Sequence, residues 1–376
     1  MSPLRVWLIG FGTVGRWLAD ALDTQAQRLA SRFGCTVQVV GIANARDGFV
    51  YDAGGLNLRS ALAAAAAGRP ITAQPGARAW PTALDGLRAT EADLLVEVTA
   101  SPRSDAEPGL SHIREALRRG IPAVTANKWP VARHGTELAA LARSRGVAFR
   151  AESTVMSGTP VLSTLTEGLA GAVPLGLRGV LNATANAILT QMADGTSYEH
   201  ALAAAQRAGL AEPDPAADVE GWDTVAKVMI LSALVFGRQL TLEQVTCRGI
   251  TGVTGQQARE AAAAGRRIRH VATLEFAGPD GTGPDGTGAE ASGAEASGTE
   301  ASGAEGAGVV TARVQPETVP ADDLLARIDG VANAVVCRAR PVGEVTIIGP
   351  GAGPQLAGQG VLSDLIAVAR QRSAGS

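Results

Sequence analysis

Between Ala205 and Lys227 the chain reads AQRAGLAEPDPAADVEGWDTVAK, and the carboxylates and lysine gathered there could act on one small molecule. Glu212, Asp218 and Asp223 offer carboxylates, and Lys227 offers an ammonium. Pro213 and Pro215 keep the backbone extended around Asp214. From Trp222 to Phe236 a helical pattern resumes, with Val225, Met229, Leu231 and Leu234 as its apolar positions. Asp223 and Lys227 stand four apart, so a helix sets both on one face, close enough to act on one ligand. The plainer reading is an exposed acidic loop and a helix ion pair contributing about 0.3 kcal/mol.

The elements that must position these groups begin at the N-terminus. Leu4 to Ile9 is an apolar run of strand formers, Gly10, Gly12 and Gly15 follow in G-x-G-x-x-G order, and Arg16 to Leu29 reads as a helix. Strand, glycine turn and helix make a dinucleotide-binding unit: the first glycine turns the chain, the second lets a pyrophosphate approach, and the third packs helix on strand. The phosphates then lie at the helix N-terminus, against Gly12, Thr13, Val14 and Gly15, where backbone N–H groups favour an anion. Val37 to Ala43 reads as the second strand. A carboxylate at its end would hold the ribose 2′-hydroxyl of NAD, but the tip reads Ala43-Asn44-Ala45-Arg46-Asp47. Asp47 comes late and Arg46 could accept a 2′-phosphate, which favours NADP over NAD by a little.

Further along, Asp93 to Thr99 (DLLVEVT) has the pattern of a buried strand, and Ser111 to Arg119 that of a short helix leading to a strand at Pro122 to Thr125. Ligands of an open parallel sheet gather at the C-terminal ends of its strands. Thr99 and Lys128, which follow two such ends, are therefore expected beside the nicotinamide. Val147 to Leu165 reads as a strand, a small-residue turn and a helix beginning near Pro160. In LNATANAIL, Leu181 to Leu189, the residues Asn182, Thr184 and Asn186 alternate, so their polar ends could face one ligand. Asn186 as a helix N-cap is the other reading.

The pattern A-x-x-x-G-L-A-E-x-D-P-x-x-D-V-x-G-x-D-x-x-x-K from Ala205 to Lys227 closely resembles the signature of homoserine dehydrogenases. Thr125-Ala126-Asn127-Lys128 is similar to that family's A-N-K, whose lysine reaches the substrate and is a candidate proton donor. Glu152 to Pro160 resembles its E-A-T-V-G-G-G-x-P turn, through which some members bind a monovalent cation. The resemblance maps that site, for Na⁺ or K⁺, onto the Glu152 side chain and the backbone of Val155, Ser157 and Thr159, with Met156 and Ser157 standing where glycines are common. LNATANAIL resembles L-N-G-T-T-N-Y-I-L at the family's substrate-binding sheet, which implicates Thr184, with Ala183, Ala185 and Ala187 replacing glycine, threonine and tyrosine. Gly349 to Gly353 resembles a late G-x-G-A-G turn, and the helix after it, here Val361 to Arg370, returns to the nucleotide-binding domain, which implicates Gly353 in cofactor binding. No C-terminal regulatory domain of the kind some relatives carry is expected, and no feedback through it.

Composition is compatible with this. The chain has 376 residues, enough for two domains, and 46% of them are hydrophobic with few aromatics, which points to Ala, Val and Leu cores. A net charge of −3 gives no electrostatic case for nucleic acid or membrane surfaces. Cys35, Cys247 and Cys337 are far apart and show neither metal spacing nor a disulfide framework, so a reduced cytoplasmic setting fits. No apolar run reaches the roughly 20 residues of a membrane span. Gly278 to Gly308 repeats Gly-, Ser- and Glu-rich units that cannot bury enough surface to fold, and it interrupts a pair of strands, Val271 to Phe276 and Val309 to Val314. It is expected to be a disordered insertion without a part in the chemistry.

The expected architecture is α/β: a Rossmann-like doubly wound domain over 1–150, a central α+β domain for substrate binding and dimerisation over 151–340, and 341–376 returning to the first domain. The resemblance implies a homodimer and an NAD(P)-linked interconversion of L-homoserine and L-aspartate 4-semialdehyde. Lys128 and Lys227, unranked by sequence, are its candidate proton donors. Glu212, Asp218 and Asp223 would hold the substrate ammonium, and Asp223 would also orient Lys227. Two rivals stand beside this: a paralogue acting on another amino-acid semialdehyde or hydroxy amino acid, motivated by Met156-Ser157 and the three alanines, and a non-catalytic nucleotide sensor.

Overall fold

The computed structural model describes residues 2–71, 74, 76–276 and 310–374, so the expected insertion, 278–308, lies outside the described residues. The chain divides into two compact units. One comprises Met1–Thr164, Gly237–Gln239 and Pro350–Ser376, the other Leu165–Phe236 and Leu240–Gly349.

The first unit is built on a seven-stranded sheet of β1 (Leu4–Ile9), β2 (Val37–Asn44), β3 (Gly48–Tyr51), β4 (Arg78–Trp80), β5 (Leu94–Glu97), β6 (Ala123–Thr125) and β7 (Phe149–Arg150), in the order β4-β3-β2-β1-β5-β6-β7. β2, β1, β5, β6 and β7 run parallel, and β3 and β4 are antiparallel additions. Side chains of β1 alternate between two cores, as a period of two requires. Leu4, Val6 and Leu8 join Leu18 and Leu22 of the helix Thr13–Thr24 and Val361 and Leu365 of the helix Pro354–Ala374. Trp7 and Ile9 join Ile113 and Leu117 of the helix Gly109–Arg118 and Leu138 of the helix Lys128–Ser144. Both faces being covered, the strands read as continuous apolar runs in the sequence. The sheet is doubly wound, and the chain order reverses at β1, between β2 and β5, which opens a ligand crevice at their C-terminal ends.

One expectation here needs correction. The single helix expected from Arg16 to Leu29 is two, Thr13–Thr24 and Ala26–Phe33, broken at Gln25. The second buries only Leu29, with Phe33 packed against the same core. The helix expected near Pro160 is present but short: Leu162 and Ser163 are α-helical and run into the π-helical Thr164–Gly168, and a further short helix, Ser153–Met156, precedes the turn.

The second unit carries a six-stranded sheet, β13-β12-β8-β10-β11-β9, of β8 (Val173–Val180), β9 (Val245–Cys247), β10 (Arg267–Phe276), β11 (Val310–Val319), β12 (Ala332–Arg340) and β13 (Gly343–Pro350). β10 and β11 pair antiparallel from Arg267 opposite Val319 to Phe276 opposite Val310, so the strand ends flanking the insertion lie side by side, as expected. The helices Ala183–Ala193, Trp222–Val235 and Gly255–Ala263 pack on β10. Among the described residues no helix is long and apolar enough to cross a membrane.

Candidate active site

In the first unit the three glycines do three different things. Gly10 has φ +104, and a Cβ there would lie 2.6 Å from the Val98 carbonyl carbon. A Cβ on Gly15 would collide with the Gly10 carbonyl oxygen, so this glycine sets how closely helix meets turn. A Cβ on Gly12 would meet nothing within 4 Å. Gly12 is the N-cap of the helix Thr13–Thr24, and no side chain caps it. Open space in front of uncapped first-turn N–H groups, at the C-terminal end of β1, fits a dinucleotide pyrophosphate. Gly353, at φ +128, occupies the turn into the helix Pro354–Ala374.

At the neighbouring strand ends a buried polar network replaces what sequence treats as plain strand. Glu97, wholly buried at the end of β5, accepts from the Thr99 hydroxyl and, at 3.2 Å, from the Thr99 N–H. Its carboxylate also lies 3.7 Å from His112 Nδ1. Asn127 Nδ2 donates to the Thr99 and Ser101 hydroxyls at 3.2 and 2.7 Å. Asn127 is the N-cap of the helix whose first residue is Lys128, so the network joins the loops after β5 and β6 and fixes where Lys128 starts. Thr99 therefore spends its N–H and hydroxyl inward, on Glu97. A lone carboxylate in the apolar run DLLVEVT is the signal by which sequence could have singled out Glu97.

Arg46 does not have the freedom expected of a 2′-phosphate receptor. Its guanidinium reaches Asp47 at 3.0 and 3.3 Å, the Gly68 carbonyl at 3.1 Å and the Arg69 carbonyl at 2.9 Å. Asp47 is buried beneath it, and the Arg46 guanidinium, assisted by Asn44 and the Ile71 N–H, holds its carboxyl down to about 2. The pair closes the turn after β2.

The proposed cation positions share one turn, but its carboxylate is engaged by protein donors. Glu152 Oε1 accepts the N–H groups of Val161 and Leu162, each at 2.7 Å, and Oε2 accepts that of Ser163 at 2.8 Å. The Ser157 and Thr159 hydroxyls donate to the Gly351 and Pro350 carbonyls at 3.2 and 3.0 Å. Val155 is buried in the short helix. A cation would compete with three N–H groups for the Glu152 oxygens, so this donor set does not fit the ion that the resemblance implies. Beneath the turn lies Asp364, unforeseen from sequence, which accepts the Glu152 N–H at 2.9 Å and faces Arg150 at 3.3 Å. Burial outweighs both contacts and pushes its carboxyl up to about 7. An aspartate on the same helical face as Val361, Leu365 and Val368 was the available clue.

In the second unit the acidic segment closes into a compact site. The helix Trp222–Val235 buries Lys227, whose Nζ lies 2.8 Å from Asp223 Oδ2 and donates to the Leu181 carbonyl at 2.6 Å. Asn182 Nδ2 donates to Asp218 Oδ1 at 2.7 Å and to Asp223 Oδ2 at 3.0 Å. Burial, then the neighbouring Asp223 charge, pushes the Asp218 carboxyl above its ordinary value, against the pull of Asn182, Thr184 and Lys227. The Thr184 hydroxyl donates to the Leu210 carbonyl at 2.9 Å. Glu212 is exposed, and its carbonyl accepts from Gln206. From β10, the buried His270 Nε2 meets the Arg248 carbonyl at 3.1 Å, and burial drives its pKa down to about 4.

Asn186 is a correction on both readings. Asn182 is the N-cap, accepting from the Ala185 N–H at 2.7 Å, and the chain is helical from Ala183 on, so Asn182 and Thr184 both meet Asp218 while Asn186 does not join them. Asn186 is wholly buried one turn later and donates to the carbonyls of Ile328, Gly330 and Ala332. Ala183, Ala185 and Ala187 are buried too, as is Met156.

Comparison with known proteins shows the family. Residues 160–366 match the homoserine dehydrogenase family and residues 10–152 its NAD-binding domain. The NAD(+)-dependent homoserine dehydrogenase of Pseudomonas canavaninivorans is 35% identical over 367 residues, covering 97% of this chain and 96% of its own. The homoserine dehydrogenase of Methanocaldococcus jannaschii is 31% identical, covering 96% and 98%. Among solved structures, that of a homoserine dehydrogenase from Thiobacillus denitrificans superposes with a TM-score of 0.77 at 31% identity, covering all of this chain and 75% of the other. A hyperthermophilic archaeal homoserine dehydrogenase in complex with NADPH superposes with a TM-score of 0.76 at 27% identity, covering 98% of each. The chain belongs to the homoserine dehydrogenase family and is an oxidoreductase that carries both its NAD-binding and its catalytic domain.

Proposed function

We propose how this chain carries out its family's reaction, the interconversion of L-homoserine and L-aspartate 4-semialdehyde. The observation that carries the proposal is the cluster of Asp218, Asp223, Asn182 and Lys227. Bound NAD(P) supplies or accepts the hydride; everything else is done by side chains. Asp218 and Asp223, with Glu212 at the exposed rim and Thr184 beside Asp218, hold the substrate ammonium. Lys227 is the proton donor when the aldehyde is reduced. Reduction turns a carbonyl into an alkoxide, which needs a proton and a nearby positive charge. Asp223 and the Leu181 carbonyl fix the direction of the Lys227 ammonium and keep it ready to transfer that proton. Lys128, placed by Asn127 at the start of its helix, belongs to the cofactor site of the NAD-binding domain.

Gly10, Gly12, Thr13, Val14 and Gly15 hold the pyrophosphate, with Thr99 and Gly353 along the same cofactor. NAD is the better cofactor, since Arg46 is committed to Asp47 and two carbonyls. The reaction needs no monovalent cation, since Glu152 is braced by N–H groups. The chain pairs with a second copy through its catalytic domain, where β13 is an uncovered sheet edge and Ile348, Val342 and Val173 are each more than half exposed. Cys35, Cys247 and Cys337 form no disulfide among the described residues, which supports a reducing, cytoplasmic setting.

The test is initial-rate oxidation of homoserine by the purified protein with NAD and NADP separately, with Na⁺ and K⁺ varied. Turnover of homoserine with NAD at least as efficient as with NADP is the expected result. An enzyme that binds nicotinamide nucleotide but leaves homoserine untouched would return the weight to another hydroxy amino acid.

A further inference from the structure

We infer that Asn182 is a positioning residue for the reaction: its one amide caps the helix Ala183–Ala193 and at the same time clamps the carboxylates of Asp218 and Asp223 together as a single ammonium receptor. The inference rests on the reading of those carboxylates given above. Two like charges brought together in a partly buried place repel, and burial already opposes the charge on Asp218. A third group has to hold them, and Asn182 is built for it.

The argument turns on which way the amide faces. An asparagine side chain has one carbonyl acceptor and two N–H donors, and its two ends are interchangeable in shape. Here they are not interchangeable in place. Oδ1 accepts the Ala185 N–H at 2.7 Å, the usual N-cap bond, so Nδ2 is forced toward the acidic pair. Its donors are then used on Asp218 Oδ1 at 2.7 Å and Asp223 Oδ2 at 3.0 Å. The residue before it, Leu181, gives its carbonyl to Lys227 Nζ. One strand-to-helix junction thus fixes both carboxylates and the proton donor. The capped helix start makes the clamp rigid, so the acidic pair is organised before substrate arrives.

Two replacements separate this role from plain helix capping. Asn182→Ser keeps a good N-cap acceptor but cannot reach across to both carboxylates. Asn182→Asp keeps the shape and the cap but sets a third carboxylate against Asp218 and Asp223. The other charged or titratable groups facing the pair are Lys227, from the helix that carries Asp223, and His270, from β10. Neither changes in these variants.

The experiment measures kcat, KM for homoserine, NAD affinity and the pH profile of kcat/KM for the full-length wild type, N182S and N182D, with a thermal melt of each. We expect KM for homoserine to rise about tenfold or more in both variants while NAD affinity stays within about twofold. In N182D the acid limb of the profile should also move to higher pH, because Asp218 has become harder to ionise. A residue that only caps a helix would leave the melting temperature, KM and the acid limb close to wild type, since both variants keep the cap. Wild-type KM and an unmoved acid limb in both variants would overturn the inference while leaving the family reaction standing, and so would failure of both variants to fold. A wild type inert toward homoserine would overturn the underlying reading, and the inference with it.

Discussion

Lys227 and Asp223 form an ion pair one helical turn apart, Nζ to Oδ2 2.8 Å, with both side chains largely withdrawn from water. An exposed pair of this spacing contributes little, but a buried lysine held by a carboxylate and a carbonyl is a proton donor with a fixed direction. Lys227→Ala or Lys227→Met should lower turnover about 100-fold or more and leave NAD affinity close to wild type. Steady-state rates together with a fluorescence titration of NADH would show this. Near-normal turnover would transfer the proton step to Lys128.

Gly12 and Gly15 make opposite demands, although they look alike in sequence. Gly12→Ala meets open space at an ordinary φ of −84, so the variant should fold with a wild-type melting temperature. Its methyl would occupy the room kept for the pyrophosphate, and affinity for the nucleotide should fall about tenfold or more. Gly15→Ala should do the reverse. Alanine is favoured inside a helix by about 1 kcal/mol, yet here it strikes the Gly10 carbonyl oxygen and should lower the melting temperature. Unimpaired cofactor binding in Gly12→Ala would mean that the pyrophosphate lies elsewhere.

The turn after β2 makes a third prediction. Because its guanidinium is taken up by Asp47, Gly68 and Arg69, Arg46 contributes to the fold of that turn more than to a 2′-phosphate. Arg46→Ala should change the ratio of kcat/KM for NADP and NAD by less than about threefold. A selective loss of NADP activity of about tenfold would show that Arg46 exchanges its internal partners for the phosphate.

These contrasts explain what the sequence could and could not show. The β1 strand, the glycine turn and the helix carrying Asp223 and Lys227 are legible because periodicity and i,i+4 spacing are local properties. The Arg46 bonds are not, since Gly68 and Arg69 lie more than twenty residues away along the chain. Asn182 and Asn186 are indistinguishable in sequence because strand alternation and helix start share the same short run. Only the structure shows that one faces the acidic pair and the other braces Ile328 to Ala332. Glu97 and Asp364 escaped because a single charge on an apolar face is visible in sequence but its partner is not.

Ser157 stands where the family commonly has glycine, at φ +54 and ψ −107, a conformation that costs a non-glycine residue about 1–3 kcal/mol. Ser157→Gly loses the bond to the Gly351 carbonyl but relieves that strain. A net gain of about 1 kcal/mol is expected, raising the melting temperature by about 2–4 °C. Replacing Na⁺ and K⁺ by a bulky organic cation should leave the rate unchanged within about twofold, since Glu152 keeps its three N–H partners. Strong activation by either ion would show that a cation displaces those partners.

His270 gives the catalytic domain an acid-sensitive point behind Asp223. Unfolded, the imidazole takes up a proton near 6.5; folded, burial delays this to about 4. The folded pKa is depressed, so the contribution to stability is complete above 6.5 and is lost as pH falls toward 4, about 3 kcal/mol in all. Asp364 has the opposite sign: its carboxyl, raised to about 7, costs stability as pH rises between its ordinary value and 7. The two therefore oppose each other in the wild type, and the contribution of His270 appears only by difference. His270→Gln keeps a neutral donor for the Arg248 carbonyl and removes the titration. Its stability relative to wild type, from denaturant unfolding at pH 7.5, 6, 5 and 4.5, should improve steadily as the solution is acidified. A difference that stays constant over that range would mean that His270 is protonated in the folded protein near its ordinary pKa, and that the space behind Asp223 is wetter than its burial implies.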